Sequence, residues 1–244
     1  MLWSGLAAKS YEISPETSYM IRATLIALTL FIAGTSLSSP AFAQSATSDI
    51  PQPEQELTHL LSEAPDDHVL GDPDAPHTLI AYASNMCPHC GHWFTQDWPT
   101  IKRDLVETGK VRFVFRPFPT QPVQLSLTGF LMAECAPEED YISVMEDQFA
   151  RQSAILSAAT NQDGETLRTE FDAIAQKAGL NDPTAVTNCL ENDAHFAALE
   201  LQSRRAQATD IRGVPAFIFD GQVMRGANNA AAIQGWVEGR SSQP

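Results

Sequence analysis

Residues 78–94 read TLIAYASNMCPHCGHWF, an apolar run followed by two cysteines and two aromatic residues. The apolar run Thr78–Ala83 predicts a buried strand. From Pro88 through Val106 apolar side chains recur at helical spacing, which predicts a helix that Pro99 kinks and Gly109 stops. Two cysteines, Cys87 and Cys90, therefore fall where a strand gives way to a helix.

This placement gives the two cysteines different chemistry. The free N–H groups and the positive dipole end of a helix favour a thiolate at Cys87, by about 0.3–1 kcal/mol for the dipole alone. Cys90, one turn further on, is expected to be more buried and to resolve mixed disulfides. His89 can stabilise the thiolate further, and Pro88 suits the first helical position. A stabilised thiolate is a good leaving group, so the Cys87–Cys90 disulfide is expected to oxidise substrates.

Other interpretations of the motif fit the sequence less well. Covalent haem attachment needs a histidine directly after the second cysteine, where Gly91 stands. A structural zinc site usually needs a second pair of cysteines close together in the sequence, but Cys135 and Cys189 are 54 positions apart along the chain. A purely structural disulfide across two residues gains little from loop closure. We therefore expect redox exchange, with no metal and no organic cofactor.

Further elements indicate an α/β domain interrupted by helices. Residues 122–209 show only helical patterns, including a helix start at Asn181-Asp182-Pro183. Asp220-Gly221 between apolar runs is a hairpin signal. The remaining predicted elements are strands at Val111–Phe115, Val214–Phe219 and Gln222–Met224, the first ended by Pro117 and Pro119, and a last helix at Asn229–Val237.

The other cysteines favour a structural role. Cys135 and Cys189 both lie on apolar helix faces, and a bond between them would be worth about 4 kcal/mol in the chain-entropy model. We interpret them as a structural disulfide rather than a second redox centre. At Gly213-Val214-Pro215 two interpretations remain open, a proline that merely opens a strand and a cis bond kept for function.

The N-terminal region predicts an exported protein, and the charge balance limits the kinds of partner it can have. Lys and Arg total 15 against 30 Asp and Glu, a net charge of −15 that argues against nucleic acid or anionic lipid as main partner. From Met20, a basic residue, an apolar segment and Ala41-Phe42-Ala43 form a signal-peptide pattern, with cleavage expected after Ala43. The apolar segment is too short to span a bilayer, for which about 20 residues are needed.

The motif Cys87-Pro88-His89-Cys90, the later Arg212-Gly213-Val214-Pro215-Ala216 and the helical block between them resemble the DsbA family of bacterial periplasmic thiol:disulfide oxidoreductases. The resemblance covers about residues 66–240. It implies a thioredoxin fold, a central mixed sheet flanked by helices, with an inserted all-helical subdomain.

The resemblance also implies residue roles. Cys87 would be the exposed nucleophile, Cys90 its buried partner and His89 the tuning residue. Pro215 would be a cis-proline facing the disulfide, and Val214 would offer backbone hydrogen bonds to an extended substrate peptide. Some similar proteins carry a disulfide in the helical insertion, which would match Cys135 and Cys189. One departure is Ala81, where many thioredoxin-like proteins place an acidic residue that assists proton transfer.

Together these observations predict a periplasmic, monomeric oxidase of reduced or unfolded exported proteins, re-oxidised by a quinone-linked membrane protein. The alternatives are a disulfide isomerase or reductase of the same fold, and a copper-binding thioredoxin-like module. The expected organisation is a signal-peptide region at 1–43, a leader at 44–65, a first thioredoxin-fold part at 66–120, a helical insertion at 121–209 and a second part at 210–244.

Overall fold

A computed structural model describes residues 60–241, in which five strands form one sheet. The expected signal peptide and most of the expected leader lie outside these residues. The strands, numbered along the chain, are β1 (His68–Leu70), β2 (His77–Ala83), β3 (Val111–Pro117), β4 (Ala216–Phe219) and β5 (Gln222–Val223). Their order in the sheet is β1-β3-β2-β4-β5. Only β2 and β3 are parallel, so the sheet is mixed, as predicted.

Alternation along the strands gives the sheet two buried faces. On β2, Leu79, Ala81 and Ala83 join the larger apolar core, whereas Ile80 and Tyr82 join a smaller cluster on the opposite face. The neighbouring strands alternate in the same way, with Phe113, Phe115, Phe217 and Phe219 in the larger core and Val114 and Ile218 in the smaller cluster. The cysteine helix packs on the larger core.

The cysteine helix is broken, where the sequence predicted one kinked helix to Val106. It consists of α1 (Pro88–Gln96), α2 (Trp98–Ile101) and a π-helical turn (Lys102–Val106). Pro99 has no N–H to donate to the Thr95 carbonyl, and its ring would collide with that carbonyl in a continuous helix. The chain therefore begins a new helix around Pro99. Gly109, at φ 71°, follows the π-helical turn, as expected of a helix stop.

The residues between β3 and β4 are helical, as predicted. They form α3 (Val123–Glu134), a short 3₁₀ turn (Glu138–Asp140), α4 (Tyr141–Thr160), α5 (Gly164–Lys177), α6 (Pro183–Leu190) and α7 (Asp193–Ala208). Helix α6 begins as predicted, because Asp182 Oδ1 accepts hydrogen bonds from the backbone N–H groups of Thr184 and Ala185, both at 2.9 Å. Helix α4 packs on α1, where the Phe94 and Phe149 rings stack with centroids 4.0 Å apart.

Several element ends differ from the prediction. Strand β3 continues to Pro117, because β1 pairs only with Phe113 to Phe115 and no strand on that side needs a Pro117 N–H. Strand β4 begins at Ala216 rather than Val214, since Pro215 has no N–H to donate. The hairpin strand ends at Val223, and the last helix, α8, spans Ala230–Ser241.

A buried ion pair fixes the segment before β1 onto the sheet. Arg116 on β3 lies 2.8 Å from Asp67, and both side chains are fully buried. Arg116 also donates to the Leu60 carbonyl at 2.7 Å and to the Tyr82 hydroxyl at 2.9 Å. Neither this anchor nor strand β1 was predicted, because both depend on partners about 50 residues away in the chain. Within residues 60–241, no helix combines the length and apolar character needed to cross a membrane.

Candidate active site

The two motif cysteines lie at the start of α1, as the sequence predicted, and both are free thiols in this structure. Cys87 is the N-cap residue, with extended backbone, and its carbonyl accepts the first helical hydrogen bond from the Gly91 N–H at 3.0 Å. Its thiol is partly exposed. Cys90 is fully buried in the larger core. One sulfur is therefore accessible to other molecules and the other faces inward.

The surroundings of Cys87 favour its thiolate. The pKa of Cys87 is lowered from 9.0 to about 6 by several groups together, the hydrogen bond with the Cys90 thiol first among them, although partial burial acts in the opposite direction. The backbone N–H groups of Cys90 and His89 lower this pKa further, and the charge of the His89 ring contributes least among these groups. The stabilisation thus comes first from the neighbouring thiol and the helix start.

The surroundings of Cys90 favour its protonated form. Burial raises the pKa of Cys90 far above its ordinary range, and the hydrogen bond with Cys87 raises it further. The Ser84 N–H, 3.4 Å from the Cys90 sulfur, acts in the opposite direction. Ala81 is fully buried on β2, so no carboxylate occupies that position. The two sulfurs are therefore strongly unequal acids.

Pro88 and His89 lie on the exposed surface beside Cys87. Pro88 occupies the first helical position, as predicted, where its missing N–H costs no hydrogen bond. His89 follows it, and both side chains are exposed. The motif therefore presents Cys87 on an open surface next to two exposed side chains.

The loop before β4 faces the cysteines across the site. The Val214–Pro215 peptide bond is cis, which decides between the two interpretations that the sequence left open in favour of the cis form. The protonated Cys87 thiol donates to the Val214 carbonyl at 3.4 Å. A second cis bond, Gln121–Pro122, was not predicted. The structure thus brings Cys87, Cys90, His89, Val214 and Pro215 to one place.

Buried amide side chains contact the backbone of this motif, and they were not predicted from the sequence. The amide cluster, as we name it, consists of Asn85 before the motif and of Gln148 and Gln152 on α4. Asn85 and Gln148 are fully buried and Gln152 is 6% exposed. A signal was present in the sequence, since two glutamines four residues apart interrupt the apolar face of a helix.

The other cysteine pair lies away from this site. Cys135, at the end of α3, and Cys189, on α6, form a disulfide with a Cα–Cα distance of 6.0 Å. His195 on α7 places its Nδ1 3.2 Å from the Cys135 sulfur. Within residues 60–241, these three residues form the one group of ligand atoms close enough to hold a metal. Since both sulfurs are bonded to each other, they offer no thiolate ligand.

Comparison with known proteins identifies the fold. The model of a family described as Thioredoxin matches residues 63–239. A protein of Rickettsia bellii named "Putative protein-disulfide oxidoreductase" is 25% identical over 156 residues, which cover 64% of this chain and 57% of that protein. This chain spans about half the length of the curated relatives that it matches.

Solved structures agree with this fold. The crystal structure of α-DsbA1 from Wolbachia pipientis has a TM-score of 0.64 and 23% identity, covering 75% of this chain and 94% of that chain. A protein-disulfide isomerase from Novosphingobium aromaticivorans has a TM-score of 0.61 and 22% identity, covering 73% and 98%. These similarities confirm the predicted mixed sheet with an inserted helical block.

Proposed function

This chain belongs to the thioredoxin family whose model matches residues 63–239, and on that premise we propose that it exchanges disulfides with other proteins through Cys87 and Cys90. The membership agrees with the resemblance that the cysteine motif and the Val214–Pro215 segment indicated. The proposed activity is a thiol:disulfide oxidoreductase, and the proposed direction is oxidation of substrate dithiols.

The proposed reaction begins with the Cys87–Cys90 disulfide. A substrate thiolate attacks the accessible Cys87 sulfur, the bond to Cys90 breaks, and Cys90 takes up a proton. A second substrate thiolate then attacks the substrate sulfur of the mixed disulfide, and Cys87 leaves as a thiolate. The substrate gains one disulfide, and the two electrons remain on the Cys87–Cys90 pair.

One observation carries the oxidising direction, the lowered pKa of Cys87. A Cys87 pKa of about 6 makes this sulfur a good leaving group near neutral pH. Burial keeps Cys90 protonated once it is released. The lowered Cys87 pKa stabilises the reduced pair relative to its disulfide, which is the thermodynamic requirement for an oxidant.

Equilibration of the purified protein with glutathione buffers tests this direction. We expect a pair that is more easily reduced than that of thioredoxin, together with fast oxidation of a reduced model substrate and slow reduction of insulin. A potential near that of thioredoxin would show a reductase instead. Tight Cu(I) binding without any thiol exchange would favour the copper-binding alternative.

Trapping experiments test the two cysteine roles. Cys90→Ser leaves Cys87 able to form a mixed disulfide that no internal thiol resolves, so it is expected to accumulate covalent complexes with substrates. Cys87→Ser removes the accessible sulfur and is expected to trap few or none. Equal trapping by both variants would refute the assignment of roles.

The proposed setting is the periplasm, where exported proteins acquire disulfides. The signal-peptide pattern ending at Ala43 supports export, and so does the Cys135–Cys189 disulfide, which suits an oxidising compartment. Reduced or unfolded exported proteins are the proposed substrates, and the backbone of Val214 is the proposed place where their extended peptide chain binds. A quinone-linked membrane protein is the proposed re-oxidant, and the proposed active form is a monomer.

A further inference from the structure

The amide cluster joins the helical insertion directly to the backbone of the redox motif. Gln152 on α4 donates from Nε2 to the Asn85 carbonyl at 2.8 Å and to the Cys87 carbonyl at 3.0 Å. Both acceptors are carbonyl oxygens, so the amide nitrogen must face them and both of its hydrogens are used. The orientation of this side chain is therefore fixed by its partners.

Gln148, one helical turn earlier, holds the other end of the cluster. Its Oε1 accepts from Asn85 Nδ2 at 2.9 Å, and its Nε2 donates to the Gly129 carbonyl at 2.8 Å. Ser126 Oγ donates to Asn85 Oδ1 at 2.8 Å. Because these buried polar atoms satisfy one another, the cluster has one favourable arrangement, which makes it rigid.

Gly91 gives Gln152 the space to reach the motif. A Cβ atom at Gly91 would lie 2.0 Å from Gln152 Oε1 and 2.7 Å from Gln152 Cδ. Real atoms do not approach so closely, so any larger residue at this position would displace the amide. Glycine is otherwise unfavourable inside a helix relative to alanine.

The contact falls on the residue whose orientation matters for the proposed reaction. The Cys87 carbonyl accepts from the Gly91 N–H at 3.0 Å as well as from Gln152. With two donors on one oxygen, the peptide plane after Cys87 cannot rotate without losing a hydrogen bond. The Cys87 sulfur is attached to the same residue, so its position relative to the donors on Cys90 and His89 depends on this plane.

We propose that Gln152 is a positioning residue, which fixes the Cys87 backbone so that its sulfur faces the donors of Cys90 and His89. The inserted helices thereby control the reactivity of the redox motif through α4. This inference rests on the proposed function and deepens it.

Alkylation of the reduced full-length protein against pH tests the proposal, with Gln152→Leu as the variant. We expect the midpoint for Cys87 to move upward by up to about one pH unit, because the sulfur loses part of its alignment with the backbone donors that favour the thiolate. The matched control is Gln202→Leu, which removes another buried glutamine, 3% exposed, that bonds Asp67 at 3.3 Å and lies outside the cluster. An equal shift in both variants, or none in Gln152→Leu, would overturn the proposal.

A second pair of variants changes Gly91, the residue that contacts the Gln152 amide. Gly91→Ala is expected to raise the Cys87 midpoint in the otherwise unchanged protein, because the new methyl group displaces the Gln152 amide. In a Gln152→Ala background the same change has no amide to displace, so it is expected to leave the midpoint unchanged. The same shift in both backgrounds would refute the role of Gln152. These variants also decide the matter where Gln152→Leu does not fold.

Failure of the proposed function would look different. The midpoint of Cys87 is measured on the reduced protein and requires no substrate. If the unchanged protein oxidises no dithiol while the Gln152→Leu midpoint still shifts, the oxidase proposal is wrong and the positioning role stands. If the unchanged protein oxidises dithiols while the Cys87 midpoint is the same in Gln152→Leu as in the unchanged protein, only the positioning role is refuted.

Discussion

Replacing Cys90 by alanine tests which group makes Cys87 acidic. The Cys90 thiol is the largest contributor to the lowered Cys87 pKa of about 6, and the charge of His89 is the smallest. Cys90→Ala removes the thiol donor but keeps the backbone N–H groups of residues 89 and 90 and the start of α1. The pKa of Cys87 should therefore rise without reaching 9.0, its ordinary value.

The size of this rise follows from the bond that is lost. A hydrogen bond to a charged group is worth about 1.5–3 kcal/mol, which corresponds to about one to two pKa units. The midpoint for Cys87 is then expected at about pH 7–8. At pH 7 the thiolate fraction would fall from about nine-tenths to about one half or less. His89→Gln, which removes only an exposed and screened charge, is expected to shift the midpoint by less than about one unit.

The assay is the rate of alkylation against pH, with mass spectrometry to show that Cys87 is the modified residue. The ultraviolet absorbance of the thiolate provides a second measurement of the same midpoint. In Cys90→Ala no other free thiol remains among the described residues, since Cys135 and Cys189 are bonded to each other. A midpoint that stays near 6 in Cys90→Ala, or a larger shift in His89→Gln, would refute the assigned order of causes.

Three further predictions concern stability. The free energy of unfolding of the reduced protein should increase as pH rises from about 6 to 9.0. In this window Cys87 is ionised in the folded chain but protonated in the unfolded chain. Denaturant titrations across this pH range measure the increase. Replacing both Cys135 and Cys189 by serine should lower the free energy of unfolding by up to about 4 kcal/mol, measured by urea unfolding. Arg116→Met should lower it by up to about 3–5 kcal/mol, again by urea unfolding, because the buried Asp67 loses its shorter ion pair and keeps only Arg205, at 3.4 Å.

Each stability prediction has its own control. In the first, the free energy of unfolding of Cys87→Ser should not rise between pH 6 and 9.0. If it still rises, other groups cause the pH dependence. For the disulfide, the unchanged protein with both cysteine pairs reduced should be less stable, by a similar amount, than the protein in which only Cys87–Cys90 is reduced. A double serine variant as stable as the latter would contradict a structural role. Arg112→Met, on the same strand with a more exposed Glu63 partner, should cost less than about 1 kcal/mol.

Strand alternation and the cysteine motif made much of the fold predictable. The runs at Thr78–Ala83 and Val111–Phe115 have short-range patterns, so the structure places β2 and β3 close to their predicted positions. Strand β1 was missed because three residues carry too little pattern, and its pairing with β3 is a long-range contact. Pro99 was expected to kink this helix, but the break at Trp98 goes further than a kink.

At the candidate site, chemistry that follows from residue type and spacing was accessible, and chemistry that follows from packing was not. The order Cys87 before Cys90 at a helix start was enough to expect an accessible sulfur and a buried one. No local pattern showed that the Cys90 thiol would contribute more than His89, since this depends on side-chain geometry. Gln152 was missed because its partners lie about 65 residues away in the chain.

The separation between Cys87 and Val214, 127 residues, has a consequence for biogenesis. Since β2 lies between β3 and β4, a growing chain that has reached β3 still has an unpaired edge on β2. Translation must proceed through the whole insertion before β4 covers that edge and the Val214 loop meets the thiols. Contacts so distant in sequence form late. A nascent or truncated chain that ends before β4 would therefore expose both its dithiol and the unpaired edge of β2. At this stage aggregation and premature oxidation are hardest to avoid.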